Sequence, residues 1–155
     1  MENNLSIRKV RSEDMEDVFY LSNQDYVRKH SINKGKIKWE DHVGWFNNTI
    51  HDCDSVFYVV TDNADRFLGQ IRYKIENGNA TVSISLSHLI TGKGLSNFLL
   101  LKSINQFFNE KKGVVEIVAY VSENNIASVK LFEKAGFTLC ENQSGLLKYT
   151  REANA

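Results

Sequence analysis

The segment Gly92-Lys93-Gly94, leading into Leu95-Ser96-Asn97, is suited to meet an anion. Glycine lets the backbone approach a ligand closely, and a helix N-terminus carries free amides and partial positive charge. A glycine turn that opens a helix can therefore lay N–H groups against a pyrophosphate. Two familiar nucleotide motifs are excluded by spacing. A P-loop needs four residues between its first glycine and a Gly-Lys-Ser/Thr end, and a dinucleotide fingerprint needs a third glycine where Asn97 stands. Taken alone, the turn also fits a purely structural role. A second segment, residues 125–137 with the sequence NIASVKLFEKAGF, bears on the choice. It opens on a good cap, Asn125, sets Ile126, Val129, Phe132 and Ala135 at helical spacing, and stops at Gly136.

The elements that must position these segments are legible from periodicity. Residues 5–10 read as a short strand, and Ser12 offers an N-cap for a helix whose buried stripe is Met15, Val18, Phe19 and Ser22. Residues 23–38 lose periodicity and collect Arg28, Lys29, His30, Lys34, Lys36 and Lys38, as a mobile basic loop would. Residues 39–50 form a helix with two stripes, Trp39, Val43, Phe46 and Ile50 on one side and His42, Trp45 and Thr49 on the other. Strands follow at 56–60 and 67–75, and Asn77-Gly78 signals a hairpin into a return strand. That strand alternates cleanly, with Val82, Ile84 and Leu86 opposite Thr81, Ser83, Ser85 and Ser87. Beyond the glycine turn, Phe98, Leu101, Ile104 and Phe108 mark a long helix closed at Gly113, and residues 114–121 form a largely apolar strand. The last strands fall within residues 137–149.

Composition bounds the function. A chain of 155 residues, 42% hydrophobic and 11% aromatic, suits one domain spanning 1–155. Nineteen basic residues balance nineteen acidic ones, so no global field steers nucleic acid or a membrane surface toward the chain. No apolar run has the length to span a bilayer, and residues 1–4 lack the features of a signal peptide. Cys53 and Cys140 match no metal-ligand spacing and read as free, buried thiols in a reducing cytoplasm. No metal is expected.

The order strand, Gly92-Lys93-Gly94, helix, strand, then Asn125-x-x-Ser128-x-x-Leu131-Phe132-Glu133-Lys134-x-Gly136-Phe137 resembles the GNAT N-acetyltransferase superfamily over essentially the entire chain. The resemblance implies an α/β (α+β) fold: a central mixed, mostly antiparallel sheet of about six to seven strands with a splayed parallel pair, and helices on both faces. It implies acetyl-CoA as cosubstrate. The pyrophosphate would lie on the turn from Thr91 through Gly92, Lys93, Gly94, Leu95 and Ser96 to Asn97. The pantetheine arm would enter a gap beside Leu86 and Ser87, with Asn125 and Phe132 on the opposite wall. Three positions depart from the family pattern: Thr91 replaces an arginine or glutamine, Ser96 a glycine or alanine, and Phe132 a frequent tyrosine. His42-x-x-Trp45-Phe46, Gly69-Gln70-Ile71-Arg72-Tyr73 and Ser83-Ile84-Ser85-Leu86 look like the branch that acetylates nucleotide-linked amino sugars. The implied acceptor is a small-molecule amine such as a UDP-linked 4-amino sugar, held by Arg28, Trp45 and Arg72, on a monomer or homodimer.

Acetyl transfer needs a neutral amine, a polarised thioester carbonyl and a thiolate able to leave. A backbone N–H near Leu86 or Ser87 suits the developing oxyanion. Proton removal would pass through water on the hydroxyl face at Ser83 and Ser85, toward His42 or Glu123. Phe132 has no proton to give, so water or Ser128 would serve a thiolate whose conjugate acid has a pKa of about 8.5.

Overall fold

The structure is a computed structural model that describes residues 2–154. A seven-stranded sheet runs in the order β1-β2-β3-β4-β5-β7-β6. Its strands are β1 (Ser6–Lys9), β2 (Ser55–Thr61), β3 (Phe67–Glu76), β4 (Asn79–Leu86), β5 (Glu116–Ser122), β6 (Thr138–Gln143) and β7 (Leu146–Glu152). Every neighbouring pair is antiparallel except β4 with β5. The helices are α1 (Met15–Ser22), α2 (Asp25–Arg28), α3 (Trp39–Ile50), α4 (Leu95–Glu110) and α5 (Ile126–Lys134). The mixed sheet with its parallel pair and helices on both faces is the expected architecture.

Alternation along β2 divides the core. Val56, Tyr58 and Val60 pack with Leu99, Leu100, Ile104 and Phe107 of α4 and Phe132 of α5. Phe57 and Val59 face the other way, against Val18 of α1 and Phe46 of α3. The hairpin between β3 and β4 turns at Asn77 and Gly78, both at positive φ (51° and 81°), as a two-residue type I′ turn requires. None of the described helices is long and apolar enough to cross a membrane.

Four expectations are corrected. The first turn predicted from Ser12 is a 3-10 turn, Ser12–Asp14, and α1 buries Val18 and Leu21 instead of the full predicted stripe. Asp14 there is buried and paired with Arg8 at 2.8 Å, and a carboxylate beside Glu13 in an acidic first turn gives no hint of that partner. Residues 23–38 are not featureless: α2 lies within them, and Asn23 ties them closed by donating to the Ile37 carbonyl (3.0 Å) and accepting from its N–H (2.8 Å). On α4 the buried face is Leu99, Leu100, Ser103, Ile104 and Phe107, turned by about one residue from the predicted stripe, because the helix is covered on two sides. Cys53 and Cys140 are exposed, not buried.

Candidate active site

The parallel pair opens into a wedge. β4 and β5 are in register only from Asn79↔Glu116 to Thr81↔Val118, although β4 continues to Leu86 and β5 to Ser122. Beyond that point the facing backbone groups of residues 82–86 and 119–122 have no partner in the opposite strand, and backbone N–H and C=O groups must find one. Strand alternation says which groups they are. The Ser87 N–H donates to the Leu68 carbonyl at 2.8 Å, toward β3, so Leu86 turns both its N–H and its C=O into the wedge. This narrows the expected oxyanion donor from Leu86 or Ser87 to Leu86. The Leu86 carbonyl is already met by the Tyr26 hydroxyl, which donates to it at 2.7 Å.

At the mouth of the wedge, Gly92 and Gly94 take φ of 73° and 74°, and a Cβ on either would meet open space. The left-handed backbone is what demands glycine there, not crowding. Gly94 is the N-cap of α4 and supplies no side-chain cap, so the first-turn amides of this 16-residue helix are left for a ligand. Leu95 is buried and offers its backbone alone, Thr91 and Ser96 are half-buried, and Lys93 is exposed. The buried Asn97 Oδ1 has no partner. Glu2 and Asn3 wall the outer side of a groove of about 330 Å³ over this turn. On the other wall, Asn125 caps α5 by accepting from the Ser128 N–H at 3.3 Å, which leaves its amide donors unused by the cap. Phe132 is buried edge-on against Phe137, with ring centroids 5.1 Å apart. Free amides, a capless helix start and an open wedge fit a diphosphate carried on an extended amide-bearing arm.

A second groove of about 520 Å³ lies on the opposite sheet face, between α3 and β2–β4, with Trp45, Asn48, Thr49, Phe57, Arg72 and Ser83 among its walls. Arg72 is central to it. Its guanidinium lies 4.7 Å from the Trp45 ring and 5.8 Å from that of Phe57, a cation on two aromatic faces. Its Nε is buried with no acceptor, and none of the ion pairs among the described residues includes it. Burial pulls its pKa down to about 10, so it still carries its charge at neutral pH. Next along the same face of β3, Gln70 donates to Ser22 at 3.0 Å while its buried Oε1 stays unmet. Opposite them on β4 stand Ser83, beside Arg72, and Ser85, beside Gln70.

The predicted catalytic residues are not gathered in one place. His42 is 2% exposed and boxed by Phe19, Trp39, Trp45 and Phe46, with Nε2 2.8 Å from the Met15 carbonyl, an arrangement that makes Nε2 the donor. Burial lowers its pKa, so the ring is neutral packing beneath the groove instead of an open base. Glu123, just past β5, is exposed with its carboxylate against Gly145, 3.1 Å from where a Cβ there would stand. Ser128 sits half-buried in the first turn of α5. Arg28 turns its two terminal nitrogens to the Ser22 and Asn33 carbonyls, while its buried Nε has no partner. Sequence reasoning passed over Gln70 and Tyr26. Gln70 left a signal, a polar side chain in a strand whose other face carries Ile71 and Tyr73; Tyr26 left none.

The fold has counterparts among known proteins. Residues 4–138 match the acetyltransferase (GNAT) domain model, and the chain belongs to that family of acetyltransferases. It is 27% identical over 137 residues to an uncharacterised protein of Methanocaldococcus jannaschii, aligning 84% of this chain but only 27% of that longer protein. It is also 27% identical to YwnH of Bacillus subtilis, provisionally named a phosphinothricin acetyltransferase, over 86% of this chain and 83% of YwnH. Among solved structures, the spermidine N-acetyltransferase of Vibrio cholerae in complex with CoA and spermine superposes with a TM-score of 0.86 at 18% identity, covering 98% of this chain and 97% of that one. At that identity the likeness shows the shared fold.

Proposed function

We propose that the protein is an acetyl-CoA-dependent N-acetyltransferase that transfers directly to a primary amine of a small molecule bearing an anionic group, with a UDP-linked 4-amino sugar as the favoured acceptor. The observation that carries this reading is Arg72, a charged guanidinium without a counter-ion among the described residues, in the wall of a roomy groove. The guanidinium is half-buried with its Nε buried and unmet, a costly arrangement, and a phosphate or carboxylate with two oxygens is its natural complement. Trp45, whose ring lies against the Arg72 guanidinium, is 37% exposed and lines the same groove, where its open part is suited to packing on a nucleobase. Gln70 Oε1, on the same face of β3, supplies an acceptor for a substrate hydroxyl or amine proton.

When bound, acetyl-CoA supplies an acyl carbon activated by a thiol leaving group. The chain's residues would do the rest. Amides of residues 92–97 hold the diphosphate, and the unpaired edges of β4 and β5 hold the arm, with Asn125 donating from the far wall. The Leu86 N–H polarises the carbonyl. Ser83 and Ser85 carry a water path away from the amine, and Glu123, whose carboxylate is open to solvent, is the better terminal acceptor than the enclosed His42. No covalent intermediate is needed, so the exposed Cys53 and Cys140 play no part. The reaction would run in the cytoplasm on a monomer or homodimer.

A polyamine acceptor, suggested by the Vibrio structure, would bring more positive charge to Arg72; Lys74 and Asp52, which line the same groove, are paired with each other at 2.5 Å and leave Arg72 as its uncompensated charge. Two competing roles on the same fold are acetylation of peptides and coenzyme binding without turnover. Thiol release would be followed with UDP-4-amino sugars, phosphinothricin, spermidine and short peptides as acceptors. The anionic acceptors should turn over and spermidine should not. Turnover of spermidine or peptides alone overturns the anionic acceptor, and no turnover with any acceptor alongside coenzyme binding favours the silent module.

A further inference from the structure

Tyr26, on the short helix α2, reaches across to the far end of β4. Its hydroxyl donates to the Leu86 carbonyl at 2.7 Å, and its ring lies flat on the His88 imidazole, centroids 3.5 Å apart and planes 22° from parallel. The segment presenting it is braced by the reciprocal Asn23–Ile37 bonds and by Lys36 paired with Asp25 at 2.8 Å. Leu86 is the residue whose N–H and C=O both face the wedge, so the phenol stands on the same strand edge as the amide assigned to the thioester oxygen. On α5, Phe132 occupies the place where a hydroxyl would be expected, buried against Phe137 with no proton to offer.

We infer that Tyr26 is a catalytic residue, the proton donor to the departing sulfur, a role moved here from α5 to α2. The inference rests on the transferase reading above. In the step it serves, the acceptor nitrogen bonds the carbonyl carbon and the C–S bond breaks with its electron pair going to sulfur. The Tyr26 proton passes to sulfur, and the phenolate recovers a proton from the cationic nitrogen of the adduct as it becomes the neutral amide; the proton sent earlier along the water path toward Glu123 is the one that converts the incoming ammonium to a neutral amine. The partly buried phenol is held above its ordinary pKa, which keeps it protonated at neutral pH. Its bond to the Leu86 carbonyl parks the hydroxyl at the wedge until a better acceptor arrives.

Two measurements decide it. Tyr26→Phe keeps the ring on His88 and removes the hydroxyl: kcat should fall roughly 10- to 100-fold with KM for acetyl-CoA little changed, and the solvent isotope effect on kcat should collapse. Unchanged kcat, or a rise in KM alone, overturns the role. Independently of turnover, 3-fluorotyrosine placed at position 26 should shift its fluorine resonance when CoA binds, and shift it differently with desulfo-CoA, which lacks the thiol. Equal shifts with both ligands place the sulfur away from Tyr26 and overturn the inference, even if the substituted protein folds poorly or no acceptor has been found. Wild-type protein that binds CoA but acetylates nothing defeats the transferase reading, while the fluorine result still reports where Tyr26 stands.

Discussion

Gly69 of β3 packs directly against Leu86 of β4: a methyl group on Gly69 would stand 2.6 Å from Leu86 Cδ2 and 2.9 Å from the Ser85 carbonyl oxygen. The two residues are register partners at the open end of the hairpin, beyond the last β4–β5 pair at Thr81↔Val118. The position of the wedge-facing Leu86 amide is thus set by the absence of a side chain on the neighbouring strand.

Gly69→Ala should therefore displace the tip of β4. Part of the clash is with backbone, which cannot rotate away, so the expected cost is about 1–3 kcal/mol of stability. Turnover should fall by an order of magnitude or more while the coenzyme still binds. Chemical denaturation and single-turnover kinetics check the two parts separately.

Arg72→Gln should raise the KM for an anionic acceptor about 10- to 100-fold and leave coenzyme affinity as it was, because the groove and the wedge lie on opposite faces of the sheet. Arg72→Lys should not restore it, since a point charge replaces a planar fork that lies on Trp45. The free protein should change little in stability after Arg72→Gln, as relief of the unmet buried Nε is set against loss of the cation's contacts with Trp45 and Phe57.

Gly94→Val forces a β-branched residue to a φ of 74° with nothing to contact. The strain, about 1–2 kcal/mol, would unwind the start of α4 and disperse its amides. The rise in melting temperature that acetyl-CoA gives the wild type should disappear.

His42 makes stability depend on pH. Its pKa lies below the ordinary 6.5 because of burial, so near and below that value the unfolded chain takes up a proton that the folded one refuses. The contribution of the neutral ring is complete above pH 6.5 and is lost as the pH falls. Urea midpoints should drop between about pH 7 and pH 5, and His42→Phe should flatten that slope while costing about 1–3 kcal/mol through the unmet Met15 carbonyl.

The sequence by itself determined what local periodicity and backbone chemistry can encode. Alternation in residues 79–86 marked β4, Asn77-Gly78 marked the hairpin, Asn125 and Gly136 bounded α5, and Gly92 and Gly94 signalled a turn that only glycine makes easily. Those signals act over a few residues, and each left its mark in residue type. Tertiary structure decided which polar groups meet and which stay alone. His42 and Trp45 share a helix face in sequence, yet one is sealed beneath α1 and the other opens on the groove, because α1 covers only part of α3. Arg28 and Arg72 read alike as candidate anion ligands and both stand outside the ion pairs among the described residues, but Arg28 turns its terminal nitrogens to the Ser22 and Asn33 carbonyls while Arg72 is held on aromatic rings in the wall of the groove. Tyr26 reaches Leu86 across sixty positions of chain. A hydrogen bond of that span is fixed by how the helices cover the sheet, and neither residue's neighbours in sequence carry any trace of it.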